Sequence, residues 1–192
     1  YFNVDSMARH GFPWPLDAPE MAPFWDKLAR RDIVLCLELS SGPSYDLAGY
    51  MSHIVALKTI LARHRDLRVH LAMSPPVAFF ARNGRYEFPA ELSAVYRHER
   101  LALEVMFPIT YGGLWDYPYP EAQALIESLR DQLGADRLMW GSDMPNVERF
   151  CTYRQSLDYV RRYCPFLTAR EKDLILGDNC AALYGIGVTP PP

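Results

Sequence analysis

The chain has 192 residues, 49% of them apolar and 22% charged, with a formal net charge of -3. These values fit one globular domain with a core of useful size and exclude a disordered chain. The slight acidity leaves no electrostatic footprint for nucleic acid or an anionic membrane, and no apolar run nears the roughly 20 residues that span a bilayer.

The opening residues, Tyr1-Phe2-Asn3-Val4-Asp5, read as a strand, so the chain is expected to begin inside a larger architecture. Next comes Arg9-His10-Gly11-Phe12-Pro13-Trp14, a loop of glycine, proline and aromatics that could hang over the mouth of a site. His10 is a candidate substrate-binding residue on that ground. Four apolar runs then recur, starting at residues 33, 67, 101 and 137. Intervals of 34, 34 and 36 residues match one strand plus one helix each. The runs are nearly apolar on both faces, as in a parallel sheet covered on both sides.

Helical stripes fill the gaps. Leu47, Tyr50, Met51, Ile54, Leu57 and Leu61 share one face. Ala122, Leu125, Ile126, Leu129 and Leu133 share another, with Pro120 near the first helical position and Gly134 just past the end. Phe150, Tyr153, Leu157, Val160 and Cys164 make a third. Tyr50, Met51 and Tyr153 are expected in the core. Thr168-Ala169-Arg170-Glu171 is a capping-box pattern opening a short helix that Gly177 is expected to close. The class is therefore α/β. Neither G-x-G-x-x-G nor a phosphate-binding G-x-x-x-x-G-K-[ST] is present, which favours a barrel with elaborated mouth loops over an open nucleotide-binding sheet.

The four cysteines, Cys36, Cys151, Cys164 and Cys180, form no C-x-x-C pair. Reduced thiols in a cytoplasmic protein are the expectation, and no basic-then-apolar leader opens the chain.

Chemistry concentrates at strand ends. Leu138-Met139-Trp140-Gly141-Ser142-Asp143-Met144-Pro145 is an apolar run cut off by a proline, which leaves the Asp143 carboxylate at the strand's carboxyl end. In barrels that end carries the reaction, so Asp143 is a candidate catalytic residue and metal ligand. A helix N-cap or turn aspartate explains the same residue type. Glu38, at the end of the first full strand, and Glu104, inside the third, need partners if buried. Each is either functional or part of an internal salt bridge, with Arg68 or Arg137 as the candidate partner. His53, His64 and His98 read as solvated, and His70 as a satisfied core histidine. Residues 107 to 119 form an aromatic, glycine-bearing loop that is either a wall for an organic substrate or packing over the rim; within it Trp115 is the candidate substrate contact.

The stretch from Ala135 through Asp143-Met144-Pro145 to Gly177-Asp178-Asn179-Cys180-Ala181-Ala182-Leu183-Tyr184-Gly185 closely resembles the end of the amidohydrolase-related family, metal-dependent hydrolases and decarboxylases on a TIM barrel. The family pattern is a last strand ending in G-S-D-x-P, a helix, then G-x-N-A-x-x-L-Y-G. Pro23 to Leu28 and Leu61 to Val69 also look like family stretches. The resemblance implies a partial (β/α)8 barrel, about the last five strand-helix units, over residues 1–187, followed by a disordered tail at 188–192. It implies that Asp143 binds a divalent ion, zinc first and then manganese or iron, or shuttles a proton on its activated water. It implies hydrolysis of a C–N or C–O bond of a small organic substrate, or decarboxylation. The family's early H-x-H pair is absent. Glu38-Leu39-Ser40 and Met73-Ser74-Pro75 stand where the family often has histidines. Those departures leave a second reading open, an inactive barrel segment used for packing or partner binding. Five strands would leave two open sheet edges, so self-association into a homo-oligomer is also expected.

Overall fold

Asn3 decides where the first strand ends. Its side chain accepts a hydrogen bond from the Ser6 amide at 2.7 Å, which turns the backbone into a helix. In the computed structural model, which describes residues 1–12, 14–39, 46–73, 75, 77–83, 85–106 and 116–187, the expected strand over residues 1–5 is therefore only two residues long. The elements begin with β1 (Phe2–Asn3), α1 (Val4–Arg9), α2 (Ala22–Arg30), β2 (Leu35–Glu38), α3 (Leu47–Arg63) and β3 (Val69–Ala72). They continue with a short hairpin of β4 (Ala81–Arg82) and β5 (Arg85–Tyr86), then α4 (Ala90–Tyr96) and β6 (Leu101–Met106). The last are α5 (Pro120–Leu133), β7 (Leu138–Gly141), α6 (Tyr153–Tyr163), α7 (Ala169–Asp173) and α8 (Asn179–Tyr184). No described helix is long and apolar enough to cross a membrane.

The chain divides into two compact units. The first comprises Tyr1–Met73 with Pro89–Leu101. In it β1, β2 and β3 run parallel, with Phe2 beside Leu37, Leu35 beside Val69, and Cys36 beside His70. Phe2, Leu35, Leu37, Val69 and Leu71 share the face that meets the helices, since Phe2 packs edge-on against Trp25 of α2 at 5.6 Å. Trp25 is 1% exposed, and its indole N–H donates to the Leu16 carbonyl at 2.9 Å, so burial leaves no polar debt. Two further polar contacts, one buried and one part-buried, fix this unit. The Tyr50 and Tyr96 hydroxyls bond each other between α3 and α4. His64 is buried, with Nδ1 2.8 Å from an Asp26 carboxylate oxygen. His64 is thus not the solvated histidine expected from sequence: the end of α3 folds it back onto α2. His98 is half-buried as well, and its Nδ1 accepts from the Arg100 amide at 3.3 Å.

The second unit comprises Ser74–Phe88 with Ala102–Pro192. Here β6 and β7 run parallel, with Leu103 beside Leu138 and Met106 beside Gly141. The hairpin, which the sequence did not reveal, docks on α5 through Gln132. That side chain donates to the Tyr86 carbonyl at 2.8 Å and accepts from the Phe88 amide at 3.2 Å. Helix α5 starts at Pro120 and ends at Gly134 as expected. Tyr153 is a correction: it opens α6 and is 48% exposed, although its ring lies edge-on to Trp140. Thr168 and Glu171 form the expected capping box. Gly177 does not end the helix. The chain runs through one π-helical turn, Leu174–Asp178, into α8 and stops at Gly185, whose φ of +67° suits glycine. All four cysteines are free thiols.

Candidate active site

Strand β7 leads to Asp143, and contacts within the second unit hold the strand and the turn after it. Trp140 points to the helices, its indole N–H donating to the Ser156 carbonyl at 2.9 Å. By alternation Met139 and Gly141 point to the opposite face, together with Glu104 of β6, which pairs with Met139. Glu104 lies across Gly141 so closely that a Cβ there would fall 1.8 Å from its Oε1. Glycine at 141 is therefore what gives Glu104 its place. The side-chain amide of Asn179, a buried residue at the start of α8, donates to the Ala135 carbonyl at 2.8 Å and the Leu138 carbonyl at 2.7 Å. That clamp fixes the entry of β7, and the π-turn just before it sets where Asn179 falls.

Past the strand, Asp143 adopts φ +51°, a left-handed conformation that aspartate tolerates better than most residues. Its carbonyl accepts from the Val147 amide at 3.1 Å, and its Oδ1 accepts from the Asn146 side chain at 3.3 Å. Pro145, not Asp143, caps the short turn that follows, so the N-cap reading of this aspartate does not hold, and its carboxylate is half-buried. Cys180 sits near Glu104, and its thiol is pushed upward by burial and then by that carboxylate, so it stays protonated.

The first unit carries a second polar row. Cys36, Glu38 and His70 lie on the face opposite the helices, all half-buried, with Glu38 the last residue of β2. His10 caps the carboxyl end of α1 and is exposed. Trp115, Ser40 and Ser74 lie outside the described residues. Of the arginines suggested as partners for Glu38 or Glu104, Arg68 pairs with Asp32 at 2.8 Å and Arg137 with Asp136 at 3.1 Å. Sequence reasoning missed the role of Asn179, although the Gly177-Asp178-Asn179 run signalled that something other than a plain helix occurs there. A catalytic zinc takes about three protein ligands. Among the described residues no group of three or more histidine, cysteine, aspartate or glutamate side chains is placed to hold a metal, so those residues do not by themselves fit the expected ion.

Comparison with known proteins settles the lineage. The amidohydrolase family (Amidohydro_2) matches residues 4–186. The chain belongs to that family. It is 26% identical over 184 residues to an L-fucono-1,5-lactonase of Burkholderia ambifaria, covering 89% of this chain and 56% of the lactonase. It is 37% identical over 84 residues to a 4-sulfomuconolactone hydrolase of Rhizobium radiobacter, covering 41% of this chain and 26% of that enzyme. The chain thus spans about half the length of the lactonase. A zinc-bound crystal structure of an amidohydrolase from Burkholderia multivorans superposes with a TM-score of 0.65 at 17% identity, covering 96% of this chain and 70% of that one. A TIM-barrel protein from Bordetella bronchiseptica gives 0.58 at 16% identity, over 95% and 60%. The fold is that of a partial (β/α)8 barrel.

Proposed function

We propose that this protein is a hydrolase that opens a C–O bond of a small lactone-like substrate, with Asp143 carrying the proton. The observation behind this reading is the placement of Asp143, two residues past the end of a parallel strand and held by Asn146 and Val147. In the reaction, the Asp143 carboxylate accepts a proton from water as the water oxygen attacks the lactone carbonyl. The tetrahedral intermediate collapses, the ring C–O bond breaks, and the proton on Asp143 passes to the leaving alkoxide. Atoms and charge balance without another reagent. The names of the two curated relatives, a lactonase and a muconolactone hydrolase, favour C–O over C–N cleavage.

Glu38 is assigned to substrate binding, where its carboxylate would accept hydrogen bonds from ring hydroxyls. Trp115 and His10 are assigned to the same role on residue type, as an aromatic wall and a polar contact. The test is lactone hydrolysis by the purified protein across a panel of five- and six-membered rings, followed by Asp143→Asn. Asparagine keeps the shape and tolerates the left-handed backbone, so the melting temperature should hold. kcat/KM should fall by about 10²–10⁴, the range for removing a general base. Hydrolysis at the unmodified rate by the variant would remove Asp143 from the chemistry.

A further inference from the structure

We propose that the first unit contains a separate binding site for a small, neutral ring compound bearing one hydroxyl group. The inference does not depend on the hydrolase reading. A cavity of about 240 Å³ lies among Phe2, Met7, Ala8, Phe12, Trp14 and His53. An apolar cavity of about 150 Å³ already takes benzene, so this one has room for a substituted ring. The walls are mostly aliphatic and aromatic, so a ring gains by leaving water for them.

The geometry says what kind of ring fits. Phe2 and Phe12 meet edge-on at 6.3 Å, and Phe12 and Trp14 at 5.2 Å, so a cluster of aromatic rings makes up much of the lining. Trp14, one of the lining side chains, is 44% exposed. His53 supplies the polar group. It projects from α3, is half-buried, and its proton affinity is lowered by burial, with the Asp5 carboxylate of α1 pulling the other way. A neutral imidazole both donates and accepts a hydrogen bond, which matches a hydroxyl. An anionic ligand would have to lose its hydration among apolar walls and face Asp5. The site therefore selects phenol-like molecules over benzoate-like ones.

The test uses ¹⁹F NMR of 4-fluorophenol and 4-fluorobenzoate with the protein at neutral pH. Saturable line broadening of 4-fluorophenol, reversed by added phenol and absent for 4-fluorobenzoate, is the expected result. Ala8→Leu should abolish binding by filling the cavity. His53→Phe should weaken it about tenfold, the worth of one hydrogen bond at the upper end of its usual range. If Ala8→Leu does not fold, the Trp14 indole N–H resonance of the unmodified protein, assigned with Trp14→Phe, decides: it must shift as phenol is added. No saturable binding, equal binding of the benzoate, undiminished binding in both folded variants, or an unmoved Trp14 resonance would each overturn the proposal.

Discussion

The two units leave their strands by the same backbone device with different residues. After β3 the chain turns through Met73 at φ +69°, and after β7 through Asp143 at φ +51°. Aspartate is several-fold enriched in this conformation and methionine is not, so the backbone at Met73 is held by its surroundings, whereas that at Asp143 suits its own residue type. The strained exit belongs to the unit whose polar row, Cys36, Glu38 and His70, stays on the strands themselves. The tolerated exit belongs to the unit that carries its carboxylate beyond the strand and braces it from behind. A side chain meant to move a proton gains reach by leaving the ladder, and needs a rigid strand beneath it to keep that reach productive.

The sharpest way to break this contrast is to remove the brace. Asn179→Ala deletes two buried hydrogen bonds to the carbonyls of Ala135 and Leu138 and leaves one or both without a donor. The expected loss is about 2–3 kcal/mol. Amide exchange should quicken most at β7 and α8, and far less at β2 and β3. Uniform loss of protection across all four would show that the clamp is not local to the Asp143 strand.

A smaller effect tests the crowding beneath Asp143. Gly141→Ala puts a methyl group where Glu104 now lies, with Cδ and Cγ of Glu104 at 2.6 and 2.8 Å from the new carbon. Overpacking of this kind costs about 1–3 kcal/mol. Glu104→Ala clears the space, so the double variant should melt well above Gly141→Ala alone. Two additive losses in chemical denaturation would mean that Glu104 is not what glycine accommodates.

Much of this architecture is legible from residues alone, for identifiable reasons. The strand-helix period, the α5 boundaries at Pro120 and Gly134 and the Thr168 capping box rest on local backbone rules that tertiary contacts left intact. What stayed hidden depends on distant partners. His64 reads as a surface residue until α3 brings it to Asp26, 38 residues earlier in the chain. Gly177 reads as a helix stop because a glycine normally is one, but the π-turn absorbs it and hands the stop to Gly185. Asp143 was legible because proline and glycine bracket it. Glu38 was legible as a strand-end carboxylate, while the strand expected over residues 1–5 is cut short because Asn3 starts a helix there.

The smallest effect separates the units by acid. His53, in the first unit, has its proton affinity lowered below the ordinary 6.5, chiefly by burial. Its unfolded form therefore binds more protons than the folded form as pH falls below about 6.5, and stability is lost on acidification through that window. Glu171, in the second unit, is held below its ordinary 4.5 by hydrogen bonds from the Thr168 amide and hydroxyl. Its contribution is intact above about 4.5 and disappears only as pH falls further. Melting temperature measured from pH 7 to pH 3 should thus decline in two stages. His53→Leu should flatten the first and leave the second, while Glu171→Gln, which keeps the capping hydrogen bond without the charge, should flatten only the second. Both groups are partly solvated, so each stage should be shallow. A first stage that survives in His53→Leu would place the acid sensitivity of the first unit on another group.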